Sequence, residues 1–272
     1  MSDDWAAAYS ASEKRLLKRA FLEHHLGSIR AQKIIFGLAP PEECLKDEWN
    51  SFRERIAKGE PYQYVLGSVS FGGCTFNVDK HVLIPRPETE QLVFIVKEMI
   101  PKTGRFLDVG TGSGAIALCL KKVHPEWNAF ACDISPNALS VAQSNSKRNE
   151  LDVCLFEFDI TAKTSLPYAP FDLIISNPPY IPEKQKAKMD DVVVKHEPPI
   201  ALFVPNDEPL LFYARIVEQA AKTLNPYGLL AFETHFDGAQ EVANLLDERI
   251  FTNVEITKDY YGHERFVFAR KR

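Results

Sequence analysis

The chain has 272 residues, enough for one large domain or two smaller ones with ample core. Its 45% hydrophobic and 25% charged residues are an ordinary globular balance, so disorder is not expected. A formal net charge of −5 argues mildly against a dedicated nucleic-acid binder, and no apolar run approaches the roughly 18 residues of a membrane span.

The first residues, Met1-Ser2-Asp3-Asp4-Trp5, are acidic and carry no signal-peptide pattern. Residues 1–60 read as a helical domain. Ser12 is the expected cap of a helix over Glu13 to Leu26, which Gly27 ends. Ser28 to Leu38 continues helically until Pro40-Pro41, and Pro41 to Ala57 forms a third helix that closes at Gly59. Leu16, Leu17, Ala20, Phe21 and His24 share a face of the first helix, so His24 reads as a satisfied or solvent-tipped residue rather than a ligand. A small bundle that docks a partner is the natural expectation.

Residues 61–84 change character. Tyr62 to Val82 is rich in aromatic and β-branched residues and holds Gly72-Gly73 between two short runs, which predicts a β-hairpin linker. Next comes Leu83-Ile84-Pro85-Arg86-Pro87-Glu88-Thr89-Glu90. Two prolines one residue apart hold Arg86 extended, and Glu88 and Glu90 enter the first turn of the next helix, where the dipole favours them. Arg86 is either a surface linker residue or one fixed to pair a carboxylate near a site.

Residues 85–272 form the third region, and from Arg105 it alternates strand and helix. Strands are expected at Arg105 to Val109, Ala129 to Cys132, Val153 to Phe156, Asp172 to Ile175 and Gly228 to Phe232. Helices are expected at Ser113 to Val123, Pro136 to Arg148, Leu210 to Leu224 and Ala239 to Leu246. Phe251 to Ile256 and Arg265 to Ala269 look like a final antiparallel pair. This alternation predicts a mostly parallel sheet with helices on both faces, an α/β Rossmann-like fold. The five cysteines are scattered without a Cys-x-x-Cys pair, so they read as reduced core residues of a cytoplasmic protein, and no metal is implied.

The most informative stretch is Ile174-Ile175-Ser176-Asn177-Pro178-Pro179-Tyr180. A buried strand stops at two prolines, which cannot extend a central ladder. Left at its carboxyl end are the Asn177 amide, the Pro178 carbonyl held by the locked φ of Pro178 and Pro179, and the Tyr180 ring. Two acceptors side by side suit a planar –NH2 group, and the ring offers a face to stack on. Carboxyl ends of strands are where open α/β sheets bind ligands.

A second stretch, Asp108-Val109-Gly110-Thr111-Gly112-Ser113-Gly114, follows a strand and opens a helix. Its G-x-G-x-G spacing departs from the dinucleotide fingerprint G-x-G-x-x-G. The next strand ends at Asp133, placed to accept two ribose hydroxyls. The third ends near Asp159, placed by an adenine edge with Ile160 as apolar neighbour. An adenosyl group without a pyrophosphate fits, which points to S-adenosylmethionine. Asn177, at the end of the fourth strand, borders the same site.

With these motifs the chain resembles the S-adenosylmethionine-dependent peptide chain release factor glutamine N5-methyltransferase family. The resemblance runs over nearly the whole chain. It takes in Tyr64-Val65-Leu66-Gly67, the Leu83 to Glu90 segment, the glycine turn, Asn177 to Tyr180, Glu197-Pro198 with Ala201-Leu202, and Asp259-Tyr260-Tyr261-Gly262 with Arg265. It implies a class I methyltransferase with a seven-stranded sheet, and a substrate: the glutamine of the Gly-Gly-Gln loop of class I release factors. By that resemblance Asn177, Pro178 and Tyr180 are the catalytic positions, and Pro179 and Arg86 join them in binding substrate. Asp108, Gly110, Thr111, Gly112, Ser113, Gly114, Asp133, Asp159, Ile160 and Asn177 would line the cofactor site. Two loops depart from the family pattern. Phe203 to Glu208 lacks the usual glycines, and Glu233-Thr234-His235-Phe236-Asp237-Gly238-Ala239-Gln240 stands where Glu-x-Gly-x-x-Gln is usual.

Three other readings stand beside this one. A nucleic-acid amino-methyltransferase would use the same pocket on adenine N6 or guanine N2, against the net charge of −5. A nicotinamide oxidoreductase is disfavoured by the glycine spacing and the Pro-Pro loop. A non-catalytic adenosyl-binding factor would bind cofactor without methyl transfer.

Overall fold

The computed structural model describes residues 9–40 and 43–272, and Pro41, the expected start of the third helix, lies outside them. The chain divides into two compact units, Met1–Ser68 with Asp191–His196, and Val69–Asp190 with Glu197–Arg272.

The first unit is helical. α1 spans Ala11–Ile35. Its cap is Ser10 and not Ser12: the Ser10 N–H donates to Glu13 Oε2 at 2.7 Å, and Ser10 Oγ accepts from the Glu13 N–H at 3.3 Å. Ser10 wins because it stands three residues before Glu13, the spacing of a reciprocal capping box. Gly27, with φ 74°, breaks the helical path where the sequence ends its first helix. A 3₁₀ turn at Glu43–Leu45 leads into α2, Lys46–Ala57. Leu17, Phe21, Leu22, Trp49, Phe52 and Ile56 form its core, with the Phe21 ring 4.9 Å from Trp49 and 5.3 Å from Phe52. α3, Tyr62–Leu66, replaces the first part of the expected hairpin. Pro61 presets its entry, burial of Tyr64 outweighs the aromatic strand preference, and Gly67 ends it at φ 69°.

The hairpin itself is β1, Ser68–Phe71, and β2, Cys74–Asn77, joined by Gly72-Gly73 at φ 55° and 72°. Glycine is required at 72, since a Cβ there would stand 2.3 Å from Cys119 Sγ. α4, Pro87–Met99, follows with Glu88 and Glu90 in its first turn.

The alternation then runs as expected, with boundaries shifted by a few residues. β3 is Arg105–Val109, α5 Ala115–Val123, β4 Asn128–Asp133, α6 Pro136–Asn149, β5 Cys154–Glu157 and β6 Phe171–Ser176. Beyond it lie β7, Ile181–Pro182; α7, Asp191–His196, which belongs to the first unit; and β8, Phe203–Val204. α8 is Leu211–Thr223, β9 Leu224–Glu233, α9 Ala239–Ala243, β10 Phe251–Lys258 and β11 Glu264–Lys271. The sheet has seven strands in the order β10-β11-β9-β6-β3-β4-β5. β5, β4, β3, β6 and β9 are parallel, and β11 and β10 close the edge antiparallel. This is the class I Rossmann-like methyltransferase architecture.

Alternation along the strands supplies two cores. Leu173 and Ile175 face one layer with Leu92 and Val96 of α4 and Ile116 and Leu120 of α5. Ile174, between them, faces the other with Tyr213, Ile216 and Ala220 of α8 and Val242 of α9. All five cysteines are free thiols, but only Cys74, Cys119 and Cys132 are core residues; Cys44, in the turn before α2, and Cys154, at the start of the edge strand β5, are exposed. Among the described residues no helix is long and apolar enough to cross a membrane.

Candidate functional site

The chain leaves β3 toward β4 on one side and leaves β6 toward β9 on the other. The carboxyl ends of β3 and β6 therefore border a topological switch point, where open α/β sheets bind ligands. Register sets what gathers there. Val109 lies opposite both Cys132 and Ser176, and Ser176 opposite Phe232. So Gly110, Asp133, Asn177 and Glu233 each lie one residue past these partners at the same end of the sheet.

A cavity of about 240 Å³ opens at this end. Gly110, Gly112, Asp133, Asp159, Ile160, Asn177, Pro178 and Pro179 line it. Five of these are expected cofactor positions and two more are expected substrate positions, with Asn177 expected in both roles. Val109 and Ser176 at the strand ends also line it, and the rest of the wall carries no mark of a site in the sequence: His81, Val82 and Leu83 after the hairpin, Ile134, Ser135 and Ala138 at the start of α6, Phe158, Thr161, Ile200, Ala201, and Phe212 and Ile216 of α8. These are mostly apolar and would read as core from sequence.

The glycine turn is held from beneath. Gly110 and Thr111 donate their N–H groups to the Cys132 carbonyl at 2.9 Å each. Gly110 and Gly112 take φ 72° and 54°, and a Cβ at either would meet nothing within 4 Å, so the space above the turn is open. Asp108 is wholly buried and outside the cavity wall; its Oδ2 accepts from Thr111 Oγ1 at 2.6 Å and the Ala117 N–H at 3.2 Å. Burial pushes Asp108 up to about 7 against those two donors. Thr111, Ser113 and Gly114 likewise shape the turn instead of lining the cavity. The Ser113 carbonyl accepts from Asn145 Nδ2 at 2.9 Å, and Gly114 caps the start of α5 at φ 82°.

Asp133 accepts from the Gly112 N–H and the Ser135 N–H, both at 2.9 Å. Burial raises its pKa above the ordinary carboxylate value, and the backbone donors pull the other way. Asp159 Oδ1 accepts from the Thr161 N–H at 2.8 Å and its hydroxyl at 2.6 Å.

At the end of β6, Ser176 Oγ donates to the Val109 carbonyl at 2.7 Å and pins the two strands together. Asn177 Nδ2 donates to Thr89 Oγ1 at 3.1 Å, and Thr89 Oγ1 donates to Glu233 Oε2 at 2.7 Å. Burial pushes Glu233 up to about 7, opposed by Thr89 and Arg265. Tyr180 does not line the larger cavity. It lines an adjoining one of about 210 Å³ with Pro182, Tyr213, Thr234 and His235, its ring 5.7 Å from His235. Burial pushes the Tyr180 phenol up to about 12.

Arg86 is likewise outside the cavity wall. It pairs Glu197 at 2.5 Å, and the same carboxylate accepts from the Ile84 N–H at 3.3 Å. Of the two readings of Arg86, the carboxylate-pairing one is the structure observed. Both departing loops have a definite form. Phe203–Val204 pairs in parallel with Ile181–Pro182, and Asn206 Oδ1 accepts from the Lys184 N–H at 2.7 Å. No residue from 203 to 208 adopts a positive φ, so that turn has no need of glycine. In the second loop the His235 ring pairs with Asp237, and Gly238 begins α9. Among the described residues no cluster of His, Cys, Asp or Glu is placed to hold a metal ion.

Thr89, Glu197 and Glu233 are polar residues that brace this site from outside the cavity wall, a role the sequence does not single out. Each is an acid or hydroxyl in a stretch otherwise explained by a helix cap, a turn or a strand end. An acid closing the apolar run Leu229 to Phe232 was a usable signal, though only sheet order brings it beside Asn177.

Comparison with known proteins agrees with this geometry. The methyltransferase small domain family matches residues 89–196. The release factor glutamine methyltransferase of Bacteroides thetaiotaomicron is 37% identical over 84% of this chain and 82% of its own. That of Flavobacterium psychrophilum is 40% identical over 81% and 79%, and that of Streptococcus pneumoniae 35% identical over 96% of each. Among solved structures, the hMettl16 catalytic domain in complex with an RNA hairpin is similar, with a TM-score of 0.60 and 17% identity over 85% of this chain and 92% of that one. The T. thermophilus 16S rRNA N2 G1207 methyltransferase has a TM-score of 0.52 and 19% identity over 75% and 50%. These two share the fold; the sequence relatives carry the family. The chain belongs to the release factor glutamine methyltransferase family.

Proposed function

We propose that this chain transfers a methyl group from S-adenosylmethionine to the side-chain amide nitrogen of the glutamine in the Gly-Gly-Gln loop of class I release factors. The observation that carries the reading is the meeting, around one cavity, of an open glycine turn, two acidic strand ends and the Asn177-Pro178 acceptors.

The residues present fit the cofactor. Gly110 and Gly112 leave open space where a side chain would stand. Asp133 supplies the carboxylate suited to a ribose diol, and Ile134, Phe158 and Ile160 supply apolar wall for a flat base. Asp108 Oδ1 is buried without a hydrogen-bond partner, an acceptor left over beneath the turn. When bound, the sulfonium supplies an electrophilic methyl.

The chain's own residues do the positioning. Asn177 Oδ1 and the Pro178 carbonyl accept the two N–H groups of the substrate amide and aim its lone pair away from them. An amide nitrogen is a poor nucleophile, so alignment matters, and positioning of this sort supplies roughly 7–11 kcal/mol. The two acceptors bind more strongly as positive charge develops on nitrogen. With the amide nitrogen so held, its proton would leave to water once the nitrogen had been alkylated. The Asn177 to Tyr180 loop borders both cavities, with Asn177, Pro178 and Pro179 on one and Tyr180 on the other. The substrate side chain would enter from the Tyr180 side, with that ring against the amide plane and Asn177 holding its amide at the edge of the first cavity. The N-terminal helical unit docks the release factor. Tandem mass spectrometry of a treated release factor tests the reading: a methyl on the side-chain nitrogen of that glutamine supports it, and an unmodified glutamine opposes it.

A further inference from the structure

We propose that Thr89 and Glu233 are a positioning pair that locks the Asn177 amide with its oxygen turned to the substrate. The inference rests on the reading of Asn177 as the acceptor for the substrate amide, and it names what makes Asn177 an acceptor there.

An asparagine side chain has a donor end and an acceptor end, and its surroundings decide which way each points. Here one end meets Thr89 Oγ1 at 3.1 Å, and Thr89 Oγ1 meets Glu233 Oε2 at 2.7 Å. A hydroxyl carries one proton. An ionised carboxylate only accepts, so the Thr89 proton goes to Glu233. Thr89 can then only accept, and the Asn177 end that faces it must be –NH2. The oxygen is left for the substrate. The reverse orientation would set an –NH2 against the substrate –NH2, two donors with no acceptor between them.

Three separate elements build this chain of bonds. Thr89 sits in the first turn of α4, Glu233 at the end of β9 and Asn177 just past β6. Thr89 is 6% exposed and Glu233 2%. A carboxylate is costly at such a depth, and a glutamine there would bond Thr89 without a charge. Glutamine, however, both donates and accepts, so it would leave the direction of the chain open. A carboxylate fixes it.

The direction therefore depends on Glu233 being ionised. Once protonated, Glu233 can donate to Thr89, which frees the hydroxyl proton for Asn177 Oδ1 and reverses the amide. Burial pushes Glu233 up to about 7, within reach of ordinary assay conditions. The groups that face it come from every side. Thr89 donates; Arg265 and Arg86 favour the charged form; Glu88 opposes it; the Tyr180 and Tyr213 phenols feel its charge. Neither arginine is in salt-bridge contact with it, since Arg265 pairs Asp259 and Arg86 pairs Glu197.

The test compares wild type, Thr89→Val, Thr89→Ser and Glu233→Gln in full-length protein. Turnover of a release factor is followed from about pH 5.5 to 9. The side-chain NH2 signals of Asn177 are followed by NMR in asparagine-labelled protein, assigned by their loss in Asn177→Ala. Thr89→Val and Glu233→Gln should lower kcat by about 10- to 100-fold, with cofactor affinity held within about threefold. Thr89→Ser, which keeps the hydroxyl, should recover most of the kcat lost in Thr89→Val. The wild-type kcat should fall below about pH 7, an acid limb absent from Glu233→Gln. The Asn177 NH2 signals should titrate with the same midpoint in wild type and stop doing so in Thr89→Val. Wild-type turnover in Thr89→Val, failure of Thr89→Ser to recover it, or an acid limb that persists in Glu233→Gln would overturn the inference. If wild type leaves the glutamine unmodified, the substrate reading falls instead. The NH2 titration still decides the pair, and a titration unchanged by Thr89→Val would overturn it.

Discussion

Arg86 donates to Glu197 at 2.5 Å across 111 residues of sequence. Glu197 also accepts from the Ile84 N–H, so one carboxylate anchors the Ile84-Pro85-Arg86-Pro87 segment that leads into α4. That helix carries Thr89, so this pair holds the platform from which Asn177 is oriented. The Glu197 side chain is 2% exposed and the Arg86 side chain 32%. The guanidinium is engaged with Glu197 while remaining partly exposed.

Removing Arg86 leaves a buried carboxylate without its cation. Such losses cost about 3–5 kcal/mol, and partial exposure of the arginine places this one near the lower figure, about 3 kcal/mol. Arg86→Met should therefore lower stability by that amount in urea unfolding. A change below about 0.5 kcal/mol, the range of a surface substitution, would mean the pair is only incidental.

Asn177→Ala removes an acceptor without touching the glycine turn. It should retain S-adenosylmethionine binding by calorimetry and lose about 100- to 1,000-fold in kcat, the scale of deleting one transition-state hydrogen-bond partner. Wild-type turnover in this variant would count decisively against the mechanism.

Gly112→Ala tests the open space above the turn. Gly112 has φ 54° and no neighbour within 4 Å of an added Cβ. The backbone strain should cost about 1 kcal/mol of stability, seen as a small drop in Tm. The methyl group would stand where the cofactor approaches, so affinity for S-adenosylmethionine should fall at least about tenfold. Unchanged affinity would move the cofactor off this turn.

How much of this was legible in the sequence follows from range. The glycine turn, Asp133 and Asn177-Pro178-Pro179 each sit at the end of a locally apolar strand, so spacing alone brings them to one edge of a parallel sheet. The Thr89–Glu233 and Arg86–Glu197 contacts join residues 144 and 111 positions apart, and only strand order and the path of the loop after β6 create them. Tyr62 to Leu66 reads as strand because aromatic residues suit a pleated surface, yet it is a helix with Tyr64 buried, entered at Pro61 and ended by Gly67. Tyr180 follows the two prolines, and its ring lines the adjoining cavity, a placement that the local sequence does not fix. His81, Val82 and Leu83 line the larger cavity without any local mark of doing so.

Stability should depend on pH through Glu233. Its folded pKa of about 7 lies above the ordinary 4.5, so the folded state binds its proton more tightly than the unfolded chain. The contribution is fully present below about 4.5 and is lost as pH rises through about 7. Glu233→Gln cannot ionise and should escape that loss. The Tm difference, variant minus wild type, should therefore grow as pH rises from about 5 to about 8. A difference that stays constant would mean Glu233 is not titrating in that range.

The most direct measurement is methyl transfer from labelled S-adenosylmethionine, offered in parallel to a class I release factor, to its Gly-Gly-Gln variant with the glutamine changed to alanine, and to a nucleic-acid pool. The expected result is label in the wild-type factor alone, which fixes substrate and atom together. Label in the nucleic acid, or equal label in both release factors, would contradict the assignment of that glutamine as the methyl acceptor.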